Sequence, residues 1–108
     1  MATLIERSVE GQVQELDLYA WNTGELYQAR LDVVRGMLAT PSDKAAHVKA
    51  WRGWFTQAAD RYRREFPEER VFISYAAIKQ AAEERYESEA RAIEIGEYDS
   101  LRSKQHDG

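Results

Sequence analysis

The stretch TPSDKAAHVKAWRGWFTQAADRYRREFP, from Thr40 to Pro67, decides the fold because it carries the clearest helix signals in the chain. Thr40 is a favourable N-cap residue, and Pro41 suits the first helical position, where a backbone N–H is not needed. Pro67 pushes the residue before it out of the helical region, so the helix should end at Phe66. These signals predict a helix over residues 41–66.

Apolar residues recur in this stretch at steps of three or four, which is the period of a helix with one buried face. They are Ala45, Val48, Trp51, Phe55, Ala58, Tyr62 and Phe66. We assign Trp51 and Phe55 to the core. Trp54 lies about a quarter turn from this face and leaves two interpretations open. It widens the core, or it lies half exposed at a partner surface, where tryptophan is enriched.

Residues 4–38 also keep one apolar phase, which predicts helix over the whole segment. The tripeptide Asn22-Thr23-Gly24 resembles a helix end followed by a new start, with Thr23 able to cap a second helix. Two interpretations remain: a single long helix with a weak point at Gly24, or two shorter helices. We favour the single helix because the apolar phase is not lost. It would be about 50 Å long, and its overhang would predict self-association because a small monomer cannot bury it.

A third helix is predicted over residues 75–95. Ser74 is its N-cap candidate, Ile73 and Ile78 can form a hydrophobic staple around the cap, and Gly96 lies just beyond the helix end. Before it, the triplet 71–73 is apolar and has no evident partner strand, so we expect a buried extended segment.

Glu89 is the anomaly of this helix because it falls on the apolar stripe. A buried carboxylate needs a partner, and Arg85 or a basic residue of the central helix could supply one. The alternative is that the stripe has already left the core by Tyr86, so that Glu89 is exposed, and this is the interpretation we favour. We expect one helical domain over residues 1–96 and a polar, frayed tail over residues 97–108.

The predicted fold class is therefore all-α: a three-helix antiparallel bundle with a long N-terminal helix, assembled as a homodimer. A chain of 108 residues is one domain, and 31% charged with 44% hydrophobic residues indicates a globular protein. The chain has no cysteine for a disulfide or thiolate site, and no apolar run long enough for a membrane span. Its first nine residues lack the apolar block of a signal peptide, so the default location is cytoplasmic.

Charge is unevenly distributed along the chain, whose net charge is −4. Residues 44–64 carry six Lys or Arg against one Asp, giving +5. Residues 1–43 give −4 and residues 83–99 give −5. A basic middle between two acidic arms predicts self-complementary packing, within one chain or across a dimer.

The sequence contains no motif for catalysis or for a cofactor. A Gly-rich phosphate loop, a nucleophile elbow and a His-Glu-x-x-His zinc pattern are all missing. Asp43 and His47 share a helix face at i,i+4 spacing but have no evident third ligand. The cluster Glu83, Glu84 and Glu87 lacks the Glu-x-x-His signature of di-iron bundles. We therefore expect no enzyme activity, no metal and no cofactor.

The remaining expectation is a non-enzymatic protein-binding or regulatory protein, such as an adaptor, an inhibitor or an assembly subunit, that acts through helical surfaces on a protein partner. The candidate partner-binding residues are His47, Trp54 and Arg61 on one flank of the central helix, with Glu83, Glu84 and Glu87 on the third helix.

Two alternatives remain open. One is a nucleic-acid-binding protein that uses the basic aromatic helix 41–66. Its cations are spread around the helix and the isoelectric point is near 5.2, and both features disfavour it. The other is an acidic inhibitor of phage or plasmid type that mimics nucleic acid with residues 83–99.

Overall fold

The computed structural model describes residues 8–69 and 72–101, and within these ranges the chain forms helices and no strand. The helices are α1 (Val9–Trp21), α2 (Gly24–Ala39), α3 (Lys44–Glu65) and α4 (Tyr75–Glu94), with a short 3-10 turn at Pro67–Glu69. The all-α prediction is confirmed. The prediction of three helices is wrong, because the N-terminal segment forms two helices rather than one.

The helices α3 and α4 form an antiparallel pair, and α1 and α2 cover successive halves of it. Near the α3–α4 connection, the Tyr19 ring of α1 stacks on Tyr62 with ring centroids 4.5 Å apart. Towards the other end, α2 packs on α3, where the Trp54 indole N–H donates to the carbonyl oxygen of Leu26 at 2.9 Å. The core lies between these layers, and its four largest fully buried side chains come from α1, α2 and α3. They are Trp51, Phe55, Leu16 and Val34.

The break between α1 and α2 lies at Asn22 and Thr23, so the prediction of one continuous helix is wrong. Thr23 adopts an extended conformation, with φ −100° and ψ 113°. Its hydroxyl donates back to the carbonyl oxygen of Tyr19 at 2.7 Å, so it does not cap α2 with its side chain. Asn, Thr and Gly are weak helix formers, so a helix is easily interrupted where the three follow one another. The apolar phase survives because both helices face the same core.

This break removes the overhang that motivated self-association. Both α1 and α2 bury their apolar faces within one chain, through Val13 and Leu16 in α1 and Leu26, Val34 and Met37 in α2. A dimer therefore needs a different structural basis from the one the sequence suggested.

The cap of α3 is Asp43 rather than Thr40. The Asp43 carboxylate accepts from the Ala46 N–H at 3.2 Å, which satisfies one of the free donors of the first turn. Thr40 instead ends α2, where its N–H donates to the carbonyl oxygen of Gly36 at 3.1 Å. The helix begins at Lys44, so Pro41 lies in the connecting turn. At the other end, the helix stops before Pro67 as predicted, with Phe66 as its C-cap.

The predicted start and end of α4 are confirmed. The Ser74 hydroxyl accepts from the Ala77 N–H at 3.1 Å. Ile73 and Ile78 are both buried, and Gly96 adopts a positive φ of 93° just after the helix. In the segment before Ser74, Ile73 is buried as expected, but Phe72 is 55% exposed, contrary to expectation. Val71 lies outside the described residues.

Glu89 is buried, so the prediction that it is exposed is wrong. Its side chain is held by Arg85, whose Nη1 donates to Oε2 at 3.1 Å, and by Tyr98, whose hydroxyl donates to Oε1 at 2.6 Å. Arg85 also donates from Nη2 to the Asp17 carboxylate of α1 at 2.6 Å. A second arginine, Arg30 of α2, donates to the Tyr98 hydroxyl at 3.2 Å. The buried carboxylate is therefore compensated by the opposite charges and hydrogen bonds that such a group requires.

The segment after α4 continues the fold instead of fraying at once. Tyr98 and Leu101 pack against the core, and residues 102–108 lie outside the described ranges. Burial, and then the hydrogen bond to Glu89, raise the pKa of Tyr98 well above its ordinary value, so its phenol stays protonated as a donor. This polar cluster ties α1, α2 and α4 to the C-terminal turn.

The charge asymmetry of the sequence is partly used within the chain. Arg61 of α3 pairs with Glu25 of α2, and Lys44 of α3 pairs with Glu87 of α4. Both pairs are exposed and contribute little stability individually. None of the helices in the described ranges is long and apolar enough to cross a membrane.

Candidate protein-binding site

A small depression, which we call the apolar hollow, lies where the end of α2, the start of α3 and the second half of α4 meet. It is open on one side and has a volume of about 140 Å³. Its lining residues are Met37, Pro41, His47, Tyr86, Ala90 and Ile93. These residues come from three helices and one turn, so the hollow exists only in the folded chain.

His47 forms one wall of the hollow and is held in place by the turn before α3. Its Nε2 lies 2.6 Å from the carbonyl oxygen of Thr40. A carbonyl oxygen only accepts, so Nε2 carries the proton and donates it. The imidazole is 5% exposed and lies nearly parallel to the Tyr86 ring, at 14° with centroids 6.5 Å apart. The two rings give the hollow a flat aromatic side.

Ala90 and Ile93 form the wall on α4, one turn apart. Ala90 is the smallest side chain of the lining, and a larger residue at this position would occupy part of the space. Both residues are only partly buried and pack against the edge of the core. The hollow is therefore a place where the core stops short of the surface.

The rim of the hollow carries charges of both signs. Lys44 Nζ lies 3.4 Å from Glu87 Oε2 and 5.5 Å from the centre of the Tyr86 ring. A shallower groove continues beside the hollow along α4, with Arg91 and Glu94 next to Glu87, Ala90 and Ile93. An apolar floor with a balanced polar rim is the usual composition of a site that contacts protein.

Of the six predicted partner-binding residues, the structure brings two to this site, His47 in the wall and Glu87 at the rim. Trp54 is 4% exposed, and its indole N–H is bonded to the Leu26 carbonyl, so it belongs to the core. Arg61 lies about 21 Å from His47 along α3 at 1.5 Å per residue, where it lines an open groove with Glu25 and is paired with it. His47, Trp54 and Arg61 therefore do not form one exposed flank.

The three glutamates of α4 that were predicted to bind a partner, Glu83, Glu84 and Glu87, are exposed, but they face different neighbours. Glu84 accepts from the Gln80 amide at 2.9 Å and lines a groove of about 230 Å³ between α1 and α4. Asp17 and the Arg85 guanidinium line the same groove. Glu83 lines neither this groove nor the apolar hollow.

The basic residues of α3 are also divided. Lys44 and Arg61 pair with carboxylates of other helices, and Arg63 pairs with Asp60 of α3 itself. Lys49 and Arg64 form no ion pair within residues 8–69 and 72–101. The two nucleic-acid alternatives, binding and mimicry, remain predictions.

The i,i+4 pair Asp43 and His47 is used by the fold. The carboxylate caps α3, and the imidazole donates to the backbone of the preceding turn. In the described part of the chain, no three His, Cys, Asp or Glu residues are grouped so that they could hold a metal ion.

Comparisons with protein-family models, with curated proteins and with solved structures find no significant match to this chain.

Proposed function

We propose that this protein is a non-enzymatic binding protein whose apolar hollow receives one apolar side chain of another polypeptide. The observation that carries the proposal is the hollow itself, an open apolar depression of about 140 Å³ with two aromatic rings on one side. An apolar cavity of roughly 150 Å³ is large enough to hold benzene. The hollow therefore matches a single aromatic or branched aliphatic side chain.

The energetic reason for such a site is the uneven distribution of binding energy in interfaces. A few anchor residues in desolvated pockets supply most of it, while the surrounding contacts exclude water. The charges of Lys44 and Glu87 would supply orientation and selectivity more than affinity, because exposed pairs are worth little.

A binding role is also supported by the state of the polar groups at the site. The proton of His47 Nε2 is bonded to the Thr40 carbonyl, so this nitrogen is engaged in holding the turn. The homodimer predicted from the sequence stays part of the proposal, since a second copy of the chain is one polypeptide that could enter the hollow.

The test is to fill the hollow and to measure what the protein retains. We expect Ala90→Leu to abolish capture of the proteins that the native chain binds in extracts of its own cells, as measured by quantitative mass spectrometry. Ala76→Leu is the matched control, because Ala76 is an exposed alanine of the same helix away from the hollow. The proposal fails if both variants capture the same proteins as the native chain, or if the native chain captures none.

A further inference from the structure

One side of α4 carries both an exposed aromatic side chain and the apolar hollow, about 22 Å apart along the helix axis at 1.5 Å per residue. Tyr75, at the start of α4, is 69% exposed, and its hydroxyl accepts from Arg52 Nη1 of α3 at 3.4 Å. Tyr86, beside the hollow, stacks on His47 of α3. Both tyrosines therefore lie on the side of α4 that borders α3.

We propose that two copies of this chain associate about a two-fold axis through the middle of α4, with Tyr75 of each copy in the apolar hollow of the other. The inference rests on the proposed function and names the polypeptide that enters the hollow. A two-fold axis reverses the helix direction, so it brings the start of one α4 to the end of the other. The axis that brings Tyr75 to Ala90 passes between residues 82 and 83.

The charges of α4 independently select the same axis. Tyr75, Lys79, Glu83 and Glu87 recur every four residues and form one ridge, which we call the α4 ridge, and all four side chains are exposed. The axis that brings Lys79 of one copy to Glu87 of the other passes through Glu83, within one residue of the axis that joins Tyr75 to the hollow. Each copy supplies one member of each pair, so the dimer gains two identical pairs of opposite charge.

Glu83 lies next to the axis and would meet its own copy. On α3, Lys49 lies between Lys44, which pairs with Glu87, and Arg52, which bonds to Tyr75, so it adds positive charge to the same side of the molecule. Lys49 is exposed and has no ion pair within the described residues. The α3–α4 face is therefore compatible with itself in charge, as a two-fold interface requires.

The size of this face sets the expected strength of the dimer. The side of α4 from Tyr75 to Ile93 is about 27 Å long, and two adjacent helices are roughly 20 Å wide. These dimensions correspond to a contact area of about 500 Å² per copy, which is near the lower limit of specific interfaces. We expect a dissociation constant in the micromolar range, and competition between the second copy and any protein partner for the hollow.

Sedimentation equilibrium of the full chain between about 1 µM and about 1 mM tests the inference. We expect a monomer–dimer equilibrium that Tyr75→Ala weakens by at least ~10-fold, the effect of removing an anchor side chain. Tyr75→Phe keeps the ring that fills the hollow and should dissociate within about threefold of the native chain, which is under 1 kcal/mol.

Charge reversal gives the second part of the test. Lys79→Glu and Glu87→Lys should each weaken the dimer, because each places like charges together. The double variant should restore it, because the pair is re-formed with exchanged signs. Glu87→Lys also removes the pair with Lys44 within the same chain. The double variant lacks this pair too, so a stronger dimer in the double variant can come only from the contact between the two copies. Thermal unfolding followed by circular dichroism verifies that each variant is folded.

The inference is overturned if the native chain is monomeric over the whole range. It is also overturned if Tyr75→Ala leaves the dimer unchanged, or if the double charge variant is no stronger than the single ones. A monomer whose partner capture is still abolished by Ala90→Leu would leave the proposed function standing without this inference. A dimer lost with Tyr75→Ala, together with unchanged capture by Ala90→Leu, would contradict the hollow as a site for other proteins.

Discussion

His47 shows how one side chain serves both the fold and the candidate site. Its Nε2–H closes the turn between α2 and α3 by donating to the Thr40 carbonyl oxygen, while its ring forms a wall of the apolar hollow. From the sequence, His47 is expected on a partner-binding flank of the central helix. The turn covers the imidazole instead, because Asp43 rather than Thr40 starts the helix, and the residues before it fold back over its first turn.

Trp51 and Trp54 offer a matched pair for measuring one buried hydrogen bond. Both indoles are buried, and they contact each other edge to face with ring centroids 5.3 Å apart. The Trp54 N–H donates to the Leu26 carbonyl, whereas Trp51 Nε1 has no hydrogen-bond partner among the described residues. We expect Trp54→Phe to lower the free energy of unfolding more than Trp51→Phe does, by about 1–3 kcal/mol.

Urea denaturation of the two variants is the measurement. Both substitutions remove a similar apolar volume, so the difference between them isolates the hydrogen bond and the relief of an unpaired N–H. Equal losses, or a larger loss for Trp51→Phe, would show that the indole of Trp54 contributes only by packing.

At the scale of elements, Gly53 in α3 and Gly96 just after α4 should respond in opposite directions when each is replaced by alanine. Gly53 is exposed in the middle of α3, and a Cβ there would meet no atom within 4 Å. We expect Gly53→Ala to raise the free energy of unfolding by about 0.5–1 kcal/mol, because alanine restricts the unfolded chain and favours the helix. Gly96→Ala should lower it by about 1–2 kcal/mol, since φ is +93° and Asp99 Oδ2 would lie 3.2 Å from the new Cβ.

Thermal unfolding of both variants at one concentration measures these changes. A stabilising Gly96→Ala would mean that the turn after α4 does not need the left-handed conformation. A destabilising Gly53→Ala would mean that the outer face of α3 is covered.

The ends of α3 and α4 could largely be predicted from the sequence because their signals are local. Pro67 ends one helix, and Ser74 and Gly96 bound the other. The break at Thr23 could not be decided from the sequence, because weak helix formers do not fix whether a helix ends at them, and the apolar phase continues across Asn22 and Thr23. Periodicity reports which face is buried and does not report continuity.

The burial of Glu89 was missed for a different reason. Its partners Tyr98 and Arg85 are held in place by the C-terminal turn and by Asp17 of α1, which are contacts of the folded chain. Likewise, His47 and Glu87 of the candidate site were identified from residue type, but Met37 and Pro41 reach it only through tertiary packing. The one sequence feature that points to the hollow is the small side chain of Ala90, which lies about one turn from the larger side chains of Tyr86 and Ile93.

At the scale of the whole molecule, the polar cluster and the hollow have complementary roles. Asp17, Arg30, Arg85, Glu89 and Tyr98 connect three helices and the C-terminal turn through hydrogen bonds between side chains. Such a network holds the helices relative to one another, although Arg30 Nε and Arg85 Nε are buried without a hydrogen-bond partner in the described part of the chain. The hollow, one turn from Glu89 on the same helix, is therefore expected to be formed before any ligand arrives, which reduces the cost of binding.

The most direct test of the hollow as a side-chain site is a titration of the protein with p-cresol, the side-chain analogue of tyrosine, followed by methyl NMR. We expect saturable shifts of the methyl signals of Met37, Ala90 and Ile93, and no shift of Leu16, which is fully buried in another part of the core. Ala90→Leu should remove the effect. Absent shifts, or shifts spread evenly over all methyl groups, would contradict the claim that this hollow receives a side chain.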